Sequence, residues 1–277
     1  MPESPEVQAL AEFLGEHAAG HAIREVDVLE FRSVKTRAAP PATLVGHAVT
    51  GADRHGKHVA LAIDDGTRLV VSLGRYGWVR WRDAEAPLAL PDDAPPALAN
   101  FGLDGGDAFE VTDAGTWVSL GLFVVADVAD VPAIAKLGPD PADPAFSPQN
   151  FEAVLGGRRK QIKAILQEQE SIAGIGNAYS DEILHLARVS PVAHAAALDD
   201  DTRARLYDAT VRTVRDTIDA QRGIPIHLLK AAKVAAMRVH GRGGEACPVC
   251  GDTIRDFAFA STTAQYCPTC QTAGAEL

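Results

Sequence analysis

Four cysteines near the end of the chain constrain it more than any other feature. Cys247 and Cys250 form one C-x2-C pair, Cys267 and Cys270 a second, and sixteen residues separate them. The spacing suits one tetrahedral ion held by four thiolates, because each C-x2-C turn presents two sulfurs and a hairpin between the pairs returns the second two. One structural Zn2+ in a C-terminal zinc ribbon is therefore expected. The predicted hairpin runs from Gly251-Asp252-Thr253-Ile254 to Gln265-Tyr266, with Phe257 and Phe259 alternating along it. Two disulfides are the alternative, but the N-terminus shows neither the charged n-region nor the apolar h-region that would direct the chain to an oxidising compartment.

At 277 residues and 47% hydrophobic content, the chain has room for two domains besides the ribbon. No apolar run approaches the ~20 residues of a membrane span, so a cytoplasmic protein with no membrane partner is expected. The net charge of -11 argues against a polyanionic partner. Its distribution argues the other way. Acidic residues gather in expected loops (Asp83 to Asp93, Asp104 to Asp107, Asp140 to Asp143, Asp199 to Asp201), whereas basic residues cluster at Arg54 to His58, Arg158 to Lys163 and Lys230 to Arg242. Such clusters can line a phosphate-binding face on an acidic protein, or be ordinary solvated surface.

Pro5 to Ala19 reads as an amphipathic helix, with Val7, Leu10, Ala11, Leu14 and Ala18 at helical spacing. Alternating strands follow at Val26 and Val28, at Val59 to Ile63, through an Asp65-Gly66 hairpin turn to Leu69 to Leu73, and at Trp78 to Trp81, Ala108 to Val111 and Val118 to Val125. One helix and many hairpin-linked strands predict a β-sandwich or barrel. Only the Pro/Ala/Asp loop Ala84 to Pro96 is of low complexity. Three prolines in Gly138 to Pro144 deny both helix and ladder, which sets a domain boundary there. Helical periodicity then takes over. Ser147-Pro148 starts a helix closed by Gly156-Gly157, a second spans Lys160 to Gln169, a third Ala178 to Leu186, and a fourth runs from Asp199 towards Ala220. Between the second and third, Gly174-Ile175-Gly176-Asn177 is either a tight interhelical turn or a turn whose following helix amides face a phosphate.

The run Gln169 to Glu182, with Gly174-Ile175-Gly176-Asn177 at its centre, resembles the helix-two-turns-helix of the formamidopyrimidine-DNA glycosylase and endonuclease VIII family. Met1-Pro2-Glu3-Ser4-Pro5-Glu6-Val7 is similar to that family's N-terminus, Arg54-His55-Gly56-Lys57 to its lysine-bearing hairpin, and Val239 to Gly251 to the start of its zinc finger. The resemblance implies an α+β fold: an N-terminal helix and β-sandwich catalytic domain (1–138), a linker (139–146), a helical helix-two-turns-helix DNA-binding domain (147–238) and the zinc ribbon (239–277). It also implies a DNA repair glycosylase with AP lyase activity, acting as a monomer on damaged double-stranded DNA in a bacterial-type, nucleoid-associated setting.

By that resemblance, Pro2 becomes the nucleophile once Met1 is removed. An α-amine titrates near ~8 and is partly neutral at pH 7, unlike a lysine near ~10.4. Glu3 is then the general acid/base, Glu6 supports the nucleophile region, and Lys57 and Asn177 grip flanking phosphates. Lys163 and Arg242, from the basic clusters, are further DNA-contact candidates. Arg75 and Tyr76, in Leu73-Gly74-Arg75-Tyr76-Gly77, stand where the family inserts a wedge into the base stack. Thr262 replaces a backbone-clamping arginine of the ribbon, for which Arg255 or Arg242 would have to compensate. Asp113 to Trp117 lacks a void-filling arginine, and Gly223 to Met237 differs from the loop that caps oxidised guanine, so 8-oxoguanine is not the expected lesion. A catalytically weak DNA-damage-binding protein of the same fold is the alternative.

Overall fold

The computed structural model describes residues 1–86 and 89–277; Pro87 and Leu88, inside the low-complexity loop, lie outside the described residues. The described chain forms two compact units whose division is not linear in sequence. The first holds residues 1–2, 6–136 and 222–229, the second residues 3–5, 137–221 and 230–277.

The first unit is built on helix α1 (Ser4–His17, its first two residues counted with the second unit) and eight strands: β1 (Ile23–Val28), β2 (Val49–His55), β3 (His58–Ile63), β4 (Arg68–Ser72), β5 (Gly77–Arg82), β6 (Ala97–Leu103), β7 (Ala108–Asp113) and β8 (Gly121–Val125). The strands make two antiparallel four-stranded sheets, ordered β1-β6-β7-β5 and β2-β3-β4-β8. One core serves both. Phe101, Phe109 and Val79 from the first sheet and Val59, Leu61 and Val71 from the second bury together with the predicted stripe Val7, Leu10 and Leu14 of α1. Each such side chain contributes about 1.5–3 kcal/mol on burial. The Asp65-Gly66 turn forms as its composition dictates: Gly66 takes φ +88° and Asp65 Oδ1 accepts the Thr67 amide at 2.9 Å. A short helix α2 (Pro132–Ala135) follows.

Two strands carry no clear pattern in the sequence. In β2, an edge strand, only Val49 is buried, so nothing requires alternation. In β6, Ala97, Ala99, Asn100 and Gly102 are weak strand formers, and the strand is held instead by neighbours on both sides.

The second unit contains α3 (Pro148–Leu155), α4 (Ile162–Gln167), α5 (Asn177–Ala187), α6 (Asp200–Gln221), most of α7 (Leu229–Ala236) and the ribbon, which comprises β9 (Arg255–Phe259), β10 (Thr262–Tyr266) and α8 (Pro268–Gln271). Ser147 and Asn150 cap α3 reciprocally, and Gly156 ends it at φ +44°. Phe151, Leu155, Ile165, Ile183, Leu206 and Val214 form the helical core. Helix α7 is absent from the sequence reading because Leu229 is its one buried residue, and an Ala-rich eight-residue segment then shows no apolar stripe. The fold class is the expected one, α+β with a helical domain and a ribbon.

Candidate active site

Glu3 is tightly held. It is 1% exposed. Its Oε2 accepts from the amides of Gly176 and, at 3.4 Å, Tyr179; its Oε1 accepts from the Ala178 amide at 3.1 Å and from Lys233 Nζ at 3.3 Å. These amides are the ones a helix start leaves without intrahelical partners, and the dipole of α5 adds a positive field at the same place. The Ser4 amide donates to Gly174 O at 2.9 Å, which fixes the backbone beside the carboxylate. Both glycines are required here. A Cβ on Gly176 would stand 2.7 Å from Glu3 Cδ, and one on Gly174, itself at φ +86°, would overlap Ser4 Oγ. The phosphate-facing reading of this turn is thereby corrected: the chain's own carboxylate takes up the amides.

The basic clusters are also largely committed internally. Lys163, expected at DNA, is 0% exposed; its ammonium pairs with Asp181 Oδ1 at 2.6 Å and donates to Ser180 Oγ at 2.7 Å. Burial pushes its pKa down, and the Asp181 charge opposes that shift. It is a core ion pair and not a DNA contact. His240 Nδ1 lies 2.7 Å from the other Asp181 oxygen, tying the start of the ribbon to the same carboxylate. Arg158 and Lys160 both bind Glu168, whose pKa falls to about 2, chiefly through Lys160. Asn177 is half-buried; its Nδ2 donates to Thr263 O at 2.8 Å and its Oδ1 accepts from Gln167 at 3.1 Å, so it joins α5 to the ribbon hairpin.

In the first unit, Pro2 is buried behind a half-exposed Met1, and Glu6 lies in the first turn of α1 at 1% exposure. Lys57 is half-buried at the tip of the β2–β3 hairpin, where Gly56 adopts φ +56°. Arg75 and Tyr76 are exposed on the β4–β5 loop. That loop is locked to the β7–β8 loop: Arg75 N donates to Ser119 Oγ at 3.0 Å, and Ser119 Oγ donates to Asp113 at 2.9 Å. Burial alone would raise the Asp113 pKa, but the amides of Gly115, Ser119 and Leu120 bring it below the usual carboxylate value. The locked pair presents Tyr76, 47% exposed, and Trp117, 80% exposed. Trp117 is a residue whose significance the sequence only hinted at, through an aromatic in a loop.

The four cysteines converge. Their sulfurs all lie within 4.8 Å of one another, with Cys250–Cys267 at 3.4 Å and Cys247–Cys270 at 3.9 Å. A Zn–S tetrahedron with bonds near 2.3 Å has S···S edges of about 3.8 Å, so the set fits zinc. His185 Nε2 approaches Cys247 Sγ to 3.2 Å from α5, a contact that no spacing rule discloses. At the hairpin tip, Thr262 Oγ1 donates to Phe259 O at 3.0 Å. Arg242 is half-buried, its guanidinium 3.3 Å from both the Met237 and Val234 carbonyls and 3.5 Å from Glu245.

A β-sandwich unit, a helix–turn–helix built on Gly174–Asn177 and a four-thiolate hairpin are together the parts of the helix-two-turns-helix DNA glycosylases. Family comparison agrees: residues 1–116 match the formamidopyrimidine-DNA glycosylase N-terminal domain, residues 137–227 its H2TH domain, and residues 244–273 the zinc finger found in FPG and IleRS. The formamidopyrimidine-DNA glycosylase of Moorella thermoacetica is 34% identical over 264 residues, 92% of this chain and 93% of that protein. An uncharacterized formamidopyrimidine-DNA glycosylase-like protein of Mycobacterium tuberculosis is 43% identical over 150 residues, 54% of this chain and 94% of its own length. The MutM (FPG) structure from Thermus thermophilus superposes with a TM-score of 0.81 at 28% identity, covering 98% of each chain. Lactococcus lactis Fpg, solved with a FAPY-dG-containing DNA, gives a TM-score of 0.84 at 24% identity, covering 98% of this chain and 100% of that one, a likeness of fold. The chain belongs to the formamidopyrimidine-DNA glycosylase family, a family of DNA-repair glycosylases.

Proposed function

We propose that the chain is a bifunctional glycosylase/AP lyase that acts on damaged double-stranded DNA through the amine of Pro2. The observation that carries this reading is the fixed carboxylate of Glu3, the residue next to that amine, on the α5 amides. Removal of Met1 exposes a secondary amine that attacks C1′ of the extruded nucleotide. The C1′–base bond breaks and the amine proton leaves with the base. The nitrogen lone pair then forms C=N+ while the C1′–O4′ bond breaks, and O4′ takes a proton through Glu3. Loss of a C2′ proton expels the 3′ phosphate, and water releases the sugar.

Lys57 and Asn177 would hold the flanking phosphates, with Arg242 behind the ribbon, and Arg75, Tyr76 and Trp117 would occupy the vacated stack. Zinc supplies no chemistry in this scheme; it fixes the hairpin to which Asn177 is bonded. Thr262 brings no charge to that hairpin, and much of the remaining basic charge is paired internally, so DNA affinity is expected to be moderate and strongly dependent on salt.

Borohydride trapping on a duplex with one abasic site tests the reading. Met1-processed protein should form a covalent complex, Pro2→Gly should not, and Glu3→Gln should form it slowly. Binding to the duplex without any trapping by the parent would instead identify a damage-binding protein. A panel of duplexes with oxidised pyrimidines, 8-oxoguanine, abasic sites or crosslinks then assigns the lesion.

A further inference from the structure

Lys233 belongs to none of the motifs that mark the family resemblance, yet its Nζ lies 3.3 Å from Glu3 Oε1. Its side chain is only 12% exposed, and the ammonium stands 4.4 Å from the centroid of the Tyr179 ring. Tyr179 is itself 1% exposed, and its hydroxyl accepts from Gln221 at 3.4 Å, so the ring is a fixed platform. An ammonium sequestered against an aromatic face and a carboxylate forgoes hydration, and a surface lysine has no reason to do so. Glu3 gains a further donor and a compensating charge. With the Gly176, Ala178 and Tyr179 amides on one side and Lys233 on the other, the carboxylate is held from two elements, α5 and α7.

We propose that Lys233 is a positioning residue for Glu3: its charge fixes Oε1 and keeps the carboxylate compensated while Glu3 passes a proton at the opening sugar. The proposal rests on the Pro2–Glu3 reading above. When Glu3 delivers a proton to O4′ it returns to a buried anion, and a cation at 3.3 Å makes that return favourable. Without this cation the anion loses a charge-assisted partner, and the step that regenerates it slows. The role requires positive charge, not a transferable proton, so arginine should substitute for lysine.

Single-turnover trapping on an abasic duplex, with the DNA concentration varied, separates binding from reaction. Lys233→Met should lower the maximal trapping rate by on the order of tenfold or more with half-saturating DNA unchanged, and Lys233→Arg should restore it to within about threefold of the parent. Zinc content and circular dichroism establish that each variant is folded, and Lys233→Gln replaces the methionine variant if that one does not fold. A methionine variant as fast as the parent overturns the proposal. So does a change confined to half-saturating DNA, which would make Lys233 a phosphate contact, or a failure of arginine to restore the rate, which would make it a proton source. A parent that traps no DNA is a separate outcome: it removes the Pro2–Glu3 reading itself, and this proposal with it.

Discussion

Gly174 and Gly176 owe their identity to the acidic segment that lies over them. Gly174→Ala places a side chain at φ +86° and into Ser4 Oγ, so it should destabilise the protein by about 2 kcal/mol or more, measured as a shift of the urea midpoint at constant slope. The glycine motif is legible in the sequence; what it faces is not. A turn that leads helix amides towards a phosphate has the same local composition as one that leads them to a carboxylate, and the carboxylate here comes from 173 positions away. Lys233 is hidden for a similar reason, since neither its helix nor its partner announces the pairing. Lys163 is the opposite error. It sits in a run of basic residues that reads as surface, but Asp181, eighteen positions on, takes it into the core. The cysteines are legible because zinc ligation is a matter of local spacing, whereas Pro2, Glu3, Lys57 and Asn177 are proposed as a set by resemblance more than by physics.

At the scale of elements, the ribbon has the least to stand on without its metal. Its own core is Val239, Ile254, Cys247 and Cys267, with Cys270 against it, so three of the five residues are ligands. Removing zinc with a chelator should therefore unfold β9 and β10 at a lower temperature than the helices, seen as an early, separate transition in calorimetry that zinc addition reverses. Because Asn177 donates to Thr263 O in β10, the same treatment should loosen the start of α5. Helix α3 was readable to the residue, through its Ser147 cap and Gly156 stop, because capping is encoded within one turn. Strands β2 and β6 were not, because an edge position and sheet neighbours, which are tertiary facts, supply what their side chains lack.

For the whole molecule, acid should act through buried histidines and paired carboxylates in different pH windows. His58 in the first unit has its pKa lowered to about 4 from an ordinary 6.5, by burial first and then by the neighbouring His55 and Lys57 charges. A depressed histidine binds its proton more readily in the unfolded chain, so it leaves stability untouched above pH 6.5 and removes it progressively as pH falls towards 4. Glu168 in the second unit, lowered to about 2 from 4.5, contributes stability above 4.5 that is lost only as pH falls towards 2. Urea midpoints followed from pH 7 to 4 should decline for the parent and less steeply for His58→Gln, since His55 and His185, also lowered by burial, still act there, while Glu168→Gln should leave that window unchanged. That residues 3–5 belong to the helical unit bears on engineering of a different kind. A helical unit excised at Leu137 and grafted onto another scaffold would arrive with its α5 amides unfilled, so a transplant has to bring its own acidic tripeptide or accept whatever anion the new host supplies.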